Sequence, residues 1–119
     1  MTARLLEGQV ALVTGAGRGL GRAFAECLAR LGCNVAVHGM REHGPSEYGG
    51  SETLTDVARA IGDAHNVATV KLLGDLTRID DIDRVVTEAS AKLGAIDILV
   101  HNAGGDIAAA ARGAARAFA

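Results

Sequence analysis

The stretch Val10-Ala11-Leu12-Val13-Thr14-Gly15-Ala16-Gly17-Arg18-Gly19-Leu20-Gly21 decides how the rest of the chain is read. A short, continuously apolar run opens it, the pattern of a parallel β-strand covered on both faces, and a first strand is expected over residues 9–14. Glycine then stands at every second position from Gly15 to Gly21. Such a turn reaches positive φ, lets an anion approach the backbone and lets the next helix pack closely on the strand. The helix start adds unpaired N–H groups and the positive end of its dipole. Taken alone, the turn has a second and lesser reading as a flexible connection. Its place between a buried strand and an amphipathic helix argues for phosphate binding. No Gly-Lys-Ser/Thr is present, which excludes a Walker-type phosphate loop.

Working outward, Leu20, Phe24, Cys27, Leu28 and Leu31 recur at spacings of three and four, a stripe along a first helix that Gly32 ends. A second strand is expected over residues 34–38, followed by a long loop over 39–50 marked by Gly44-Pro45 and Gly49-Gly50. Ser51 is the expected cap of a second helix with Leu54, Val57, Ala58 and Ile61 on its stripe. A third strand is expected over residues 66–73. Thr77 then caps a third helix, with Asp80 completing an imperfect capping box, and Gly94 stops that helix. A fourth strand spans residues 96–100. This alternation predicts an α/β fold, a doubly wound parallel sheet of order 3-2-1-4 with a ligand crevice above the carboxyl end of the first strand.

The composition narrows the function classes. With 119 residues and 49% hydrophobic content the chain builds one core. A net charge of −2 offers no basic field for nucleic acid or an anionic membrane surface. No apolar run approaches the roughly 20 residues of a membrane helix, and the N-terminus lacks secretion-signal features, so a cytoplasmic setting is expected. Cys27 and Cys33 have no metal-ligand spacing and read as reduced core thiols; no metal site is expected. His38, His43 and His65 read as surface or loop residues.

The glycine spacing does not fit G-x-G-x-x-G, because position 20 is Leu; it fits T-G-x-x-x-G-x-G through Thr14, Gly15, Gly19 and Gly21. In that turn, in Gly74-Asp75-Leu76-Thr77 and in His101-Asn102-Ala103-Gly104, the chain resembles the short-chain dehydrogenase/reductase family. The resemblance implies a Rossmann-type cofactor half. Its expected dinucleotide contacts are Gly15, Ala16, Gly17, Arg18, Gly19, Leu20, Gly21, Arg41, Asp75, Leu76, Asn102, Ala103 and Gly104. Within it, Asp75 would bond the adenine amino group, and the Asn102 segment would brace the sheet and line the adenosine ribose. His101 departs from the Asn usual there and is expected to alter the sheet contact rather than abolish it, since its ring still donates or accepts.

An NAD-preferring site places an acid at the end of the second strand. Here the stretch reads Val37-His38-Gly39-Met40-Arg41, with no acid at that place. Arg41 with Arg18 would grip a 2′-phosphate, which favours NADP(H) over NAD(H); Glu42 beside Arg41 weighs the other way.

The family's proton-transfer machinery, a Ser with a Y-x-x-x-K pair, is not found. The one tyrosine is Tyr48, and Glu52 stands four residues on, so no catalytic residue is assigned. Residues 1–107 read as the dinucleotide-binding half-domain, and the Ala-rich stretch 108–119 as a frayed helix or disordered tail. Two functions stay open. One is the cofactor half of an oxidoreductase moving hydride between a nicotinamide cofactor and an alcohol or ketone, carried by a truncated or frame-shifted reading of a longer gene. The other is an inactive nucleotide-binding module. The fourth strand is expected to be a sheet edge through which copies self-associate.

Overall fold

Alternate side chains of two central strands divide the protein into two layers. The computed structural model describes residues 4–47 and 49–103; Tyr48, Gly104 and the stretch 108–119 lie outside the described residues. Strand β1 is Val10–Thr14, β2 is Asn34–Gly39, β3 is Thr69–Leu73 and β4 is Ile98–His101. All pair in parallel, in the order β3-β2-β1-β4. Helices α1 (Gly19–Arg30), α2 (Leu54–His65) and α3 (Ile79–Leu93) are the crossovers. The fold is the α/β Rossmann type expected from the alternation.

On one face Ala11, Val13, Val35 and Val37 pack against Ala25 and Ala29 of α1 and Leu54, Val57 and Ile61 of α2. On the other, Leu12, Ala36 and Leu72 meet Val85 and Ala89 of α3. Fully burying a side chain such as Leu54 or Ile61 contributes roughly 1.5–3 kcal/mol each, and both are wholly buried. These two layers fix the strands, so every loop at their carboxyl ends opens on the same side.

Several local expectations are corrected. Only part of the α1 stripe meets the core: Leu28 packs against it, whereas Leu20 is 65% and Phe24 37% exposed, and Cys27 is also exposed, so Cys27 is not a core thiol. Gly21, Ala25 and Ala29 face the sheet instead, because only small side chains let the helix lie this close to the strands. Cys33 is buried, and burial raises its thiol pKa. Thr53, not Ser51, caps α2: its Oγ1 accepts from the Asp56 amide at 3.1 Å while Asp56 accepts from the Thr53 amide at 3.0 Å. Thr77 does not cap α3. Its amide and hydroxyl both donate to Asp75, at 2.9 and 2.6 Å, and Arg78 takes the cap position. Strand β3 begins at Thr69 rather than residue 66, since Asn66 closes α2 in the left-handed conformation with φ 54°. Strand β4 begins at Ile98, because the Asp97 carboxylate accepts the Val10 amide at 2.9 Å and joins the two strands from below.

Candidate functional site

The carboxyl ends of β1, β2 and β4, with the loop after β3, enclose a cleft of about 900 Å³. The glycine turn forms one wall. Gly15 and Gly19 have φ of 61° and 59°, a region that strains any residue with a Cβ. Gly21 lies beneath the turn, where a Cβ would land on the Gly15 carbonyl and 2.6 Å from the Asn102 amide nitrogen. At Gly19 a Cβ would meet nothing within 4 Å, so bare backbone faces open space on the cleft side. Helix α1 begins there with no acid in its first turn, and Arg22 is the first residue whose amide bonds back along the helix. The preceding amides are left over by helix geometry. A backbone cradle that a Cβ would fill, at the positive end of a helix, fits a diphosphate.

The expected contact residues divide by position. Gly15, Gly17, Arg18, Gly19, Arg41, Asp75, Leu76, Asn102 and Ala103 line the cleft. Ala16 is fully buried, its amide bonded to the His38 carbonyl at 2.8 Å; Gly21 is buried under the turn; the Leu20 side chain points to solvent. Gly104 lies outside the described residues.

Two residues that were not among the expected contacts hold the cleft together. His38 is not a surface or loop residue: it sits in β2 and is 2% exposed. The Gly15 amide donates to its Nδ1 at 3.1 Å, so the ring proton sits on Nε2, which donates to the Gly74 carbonyl at 2.9 Å. One neutral imidazole thereby ties the phosphate turn to the loop that carries Asp75. Desolvation by burial, aided by nearby His101, holds its pKa below the ordinary value even though the Gly74 bond acts the other way.

The second is Thr14. Its hydroxyl oxygen accepts the amides of Asn102 and Ala103, both at 3.0 Å, which leaves its proton for His101 Nδ1 at 3.1 Å. The His101 departure from the family pattern thus keeps a bond across the β1–β4 pair. Asn102 Nδ2 donates to the Gly15 carbonyl at 3.1 Å, and a Cβ on Gly15 would come within 3.0 Å of the Ala103 backbone. The β4 loop therefore props the glycine turn from behind.

At the β2 side the charges are arranged in pairs. Glu42 turns away from Arg41: it takes Lys71 and both the amide and hydroxyl of Thr55. The Lys71 bond, followed by those from Thr55, pulls the Glu42 carboxyl down to about 2. Arg18 and Arg41 both reach Glu47, each at 3.1 Å. Asp75 Oδ1 is engaged by Thr77, whose hydroxyl and amide lower its pKa. A second groove of about 650 Å³ between α2 and β3 shares no lining residue with this cleft.

Among known families, the profile of short chain dehydrogenases matches residues 9–117. The chain belongs to the short-chain dehydrogenase family. The match continues past Gly104, where the sequence motifs end. Relatives include a hydroxynaphthalene reductase-like protein of Metarhizium guizhouense, 35% identical over 89% of this chain and 36% of its own length. A sorbitol dehydrogenase of Cereibacter sphaeroides is 38% identical, over 82% of this chain and 33% of its own length. Among solved structures, L-sorbose reductase of Gluconobacter frateurii, complexed with NADPH and L-sorbose, superposes with a TM-score of 0.73. It is 28% identical, over 87% of this chain and 36% of that one. This short-chain dehydrogenase chain therefore spans about a third of the length of the relatives it matches. Membership implies a nicotinamide cofactor. Among the described residues no helix is long and apolar enough to cross a membrane, and no cluster of ligating side chains suits a metal ion.

Proposed function

We propose that this chain forms the cofactor-binding part of a short-chain oxidoreductase that moves hydride between NADP(H) and an alcohol or ketone. The observation that carries the reading is the glycine turn, whose bare backbone faces the cleft beside two guanidinium groups, Arg18 and Arg41. The turn amides and the α1 dipole hold the diphosphate, and Asp75 accepts from the adenine amino group. Arg18 and Arg41 hold the 2′-phosphate, since Glu42, the acid beside Arg41, is committed to Lys71 and Thr55. Asn102, Ala103 and Gly104 line the adenosine ribose. When bound, the nicotinamide would supply the hydride, and the residues named above would hold the adenosine and diphosphate end of the same cofactor. Both cysteines are unbridged, which suits a reducing, cytoplasmic setting. Neither the small net charge nor the described helices suit a nucleic-acid or membrane partner.

A second reading, a module that binds dinucleotide without turnover, is favoured by one observation. The cleft offers binding groups, namely glycine backbone, Arg18, Arg41 and Asp75, and no lysine lines it among the described residues. Titrating NADPH and NADH against the wild type and Arg41→Ala tests the cofactor assignment: a loss confined to NADPH supports it, and an equal loss for both overturns it. Following NADPH oxidation with a panel of ketones bears on the second reading, because oxidation by this chain overturns the module.

A further inference from the structure

The turn of 3-10 helix at Gly44–Ser46 lies over the phosphate corner and delivers a carboxylate into it. Pro45 Cγ stands 3.1 Å from where a Cβ on Gly17 would be, so the turn rests directly on the glycine loop. It is held by its own bonds, from the Ser46 amide and hydroxyl to the His43 carbonyl and from the Glu47 amide to the Gly44 carbonyl. Glu47 follows at once. One of its carboxylate oxygens lies 3.1 Å from Arg18 Nη2 and the other 3.1 Å from Arg41 Nη2. The two arginines come from different elements, one at the head of α1 and one beyond β2, and this single side chain bridges them.

An oxyanion between two guanidinium groups is the arrangement a 2′-phosphate would also adopt. Two cations and one carboxylate sum to a single positive charge. A phosphate monoester carries about −1.5 to −2 at pH 7, so it cannot share the pair with Glu47 without like-charge repulsion. A 2′-hydroxyl carries no charge and can coexist with the carboxylate. We infer that Glu47 is a built-in competitor for the 2′-phosphate, a specificity-determining residue that must leave the arginine pair before NADP(H) seats. The inference rests on the reading of Arg18 and Arg41 as the 2′-phosphate grip.

The test titrates the full chain by calorimetry with 2′,5′-ADP, which carries the extra phosphate, and with 5′-AMP, which does not. Glu47→Gln keeps the shape and removes the charge at a partly exposed position. It is expected to tighten 2′,5′-ADP by roughly three- to tenfold, the scale of losing partly exposed ion pairs, and to leave 5′-AMP within about twofold. Unchanged or weaker 2′,5′-ADP binding overturns the inference, as does weaker 5′-AMP binding, which would make Glu47 a ribose acceptor. Arg41→Ala keeps the two layers distinguishable. If it weakens 2′,5′-ADP while Glu47→Gln changes nothing, the grip stands and only the competitor falls. If it has no effect on 2′,5′-ADP, the grip falls and takes the competitor with it.

Discussion

His38 Nε2 donates to the Gly74 carbonyl across 2.9 Å, and through its other ring nitrogen the same side chain accepts the Gly15 amide. Loops that follow two different strands are thereby held at one spacing by a single buried ring. Its neutrality is required, because a proton on Nδ1 would oppose the Gly15 N–H.

Burial depresses the folded-state pKa below the ordinary 6.5, so on acidification the unfolded chain takes up the proton first. The His38 contribution to stability is fully present above about 6.5 and is lost as pH falls through the folded value. Unfolding midpoints between pH 7 and 5 should fall more steeply in the wild type than in His38→Gln, which cannot titrate there. His38→Ala should cost about 2–4 kcal/mol at neutral pH by orphaning a buried carbonyl and an amide. Parallel pH profiles for wild type and His38→Gln would refute the assignment.

Thr14 Oγ1 accepts two amides from the loop after β4. Thr14→Val removes the acceptor and is expected to cost about 2 kcal/mol or more. Thr14→Ser keeps it and should cost about 1 kcal/mol, the value of the lost methyl group. Denaturant unfolding checks the ranking; equal costs would mean the hydroxyl carries no weight.

The glycines of the turn separate into two roles. Gly21→Ala drives its methyl onto the Gly15 carbonyl and should destabilise the fold by about 2–3 kcal/mol. Gly19→Ala meets no atom, so its folding cost is the φ strain of about 1–2 kcal/mol, but its methyl enters the space proposed for the phosphates. Thermal unfolding should therefore penalise Gly21→Ala more, while NADPH affinity per unit of lost stability should fall further in Gly19→Ala. A reversed pattern would place the phosphates elsewhere.

Strand β4 pairs only with β1 among the described residues, and Leu99 on it is 61% exposed. We propose that this edge pairs with a second copy of the chain. Sedimentation should show self-association that Leu99→Lys reverses. A monodisperse wild-type monomer with slow amide exchange along Ile98–His101 would contradict this.

Much of this was legible in the residues. The run from Val10 to Val13 is apolar at every position because both faces are covered, and the α2 stripe of Leu54, Val57, Ala58 and Ile61 is buried as its period requires. On helix α1 the expected stripe meets the core only at its end, through Leu28, because a second stripe of small residues shares the helical period there. Size favoured Leu20 and Phe24, whereas close approach to the sheet demanded Gly21, Ala25 and Ala29. Caps at Ser51 and Thr77 were misplaced for a local reason: Thr53 and Asp75 offered better-spaced partners in Asp56 and Thr77. The burial of His38 and the bridge made by Glu47 depend on contacts between residues distant in sequence, which spacing does not encode.

An amide-resolved NMR titration of the chain with NADPH tests whether the glycine turn holds the cofactor. Saturable shifts are expected, concentrated at Gly15, Gly17 and Gly19 and at the Arg41 and Asp75 loops. Shifts confined to the α2–β3 groove around Thr55, Arg59 and Asp63, or no saturable shifts at the glycine turn, would contradict it.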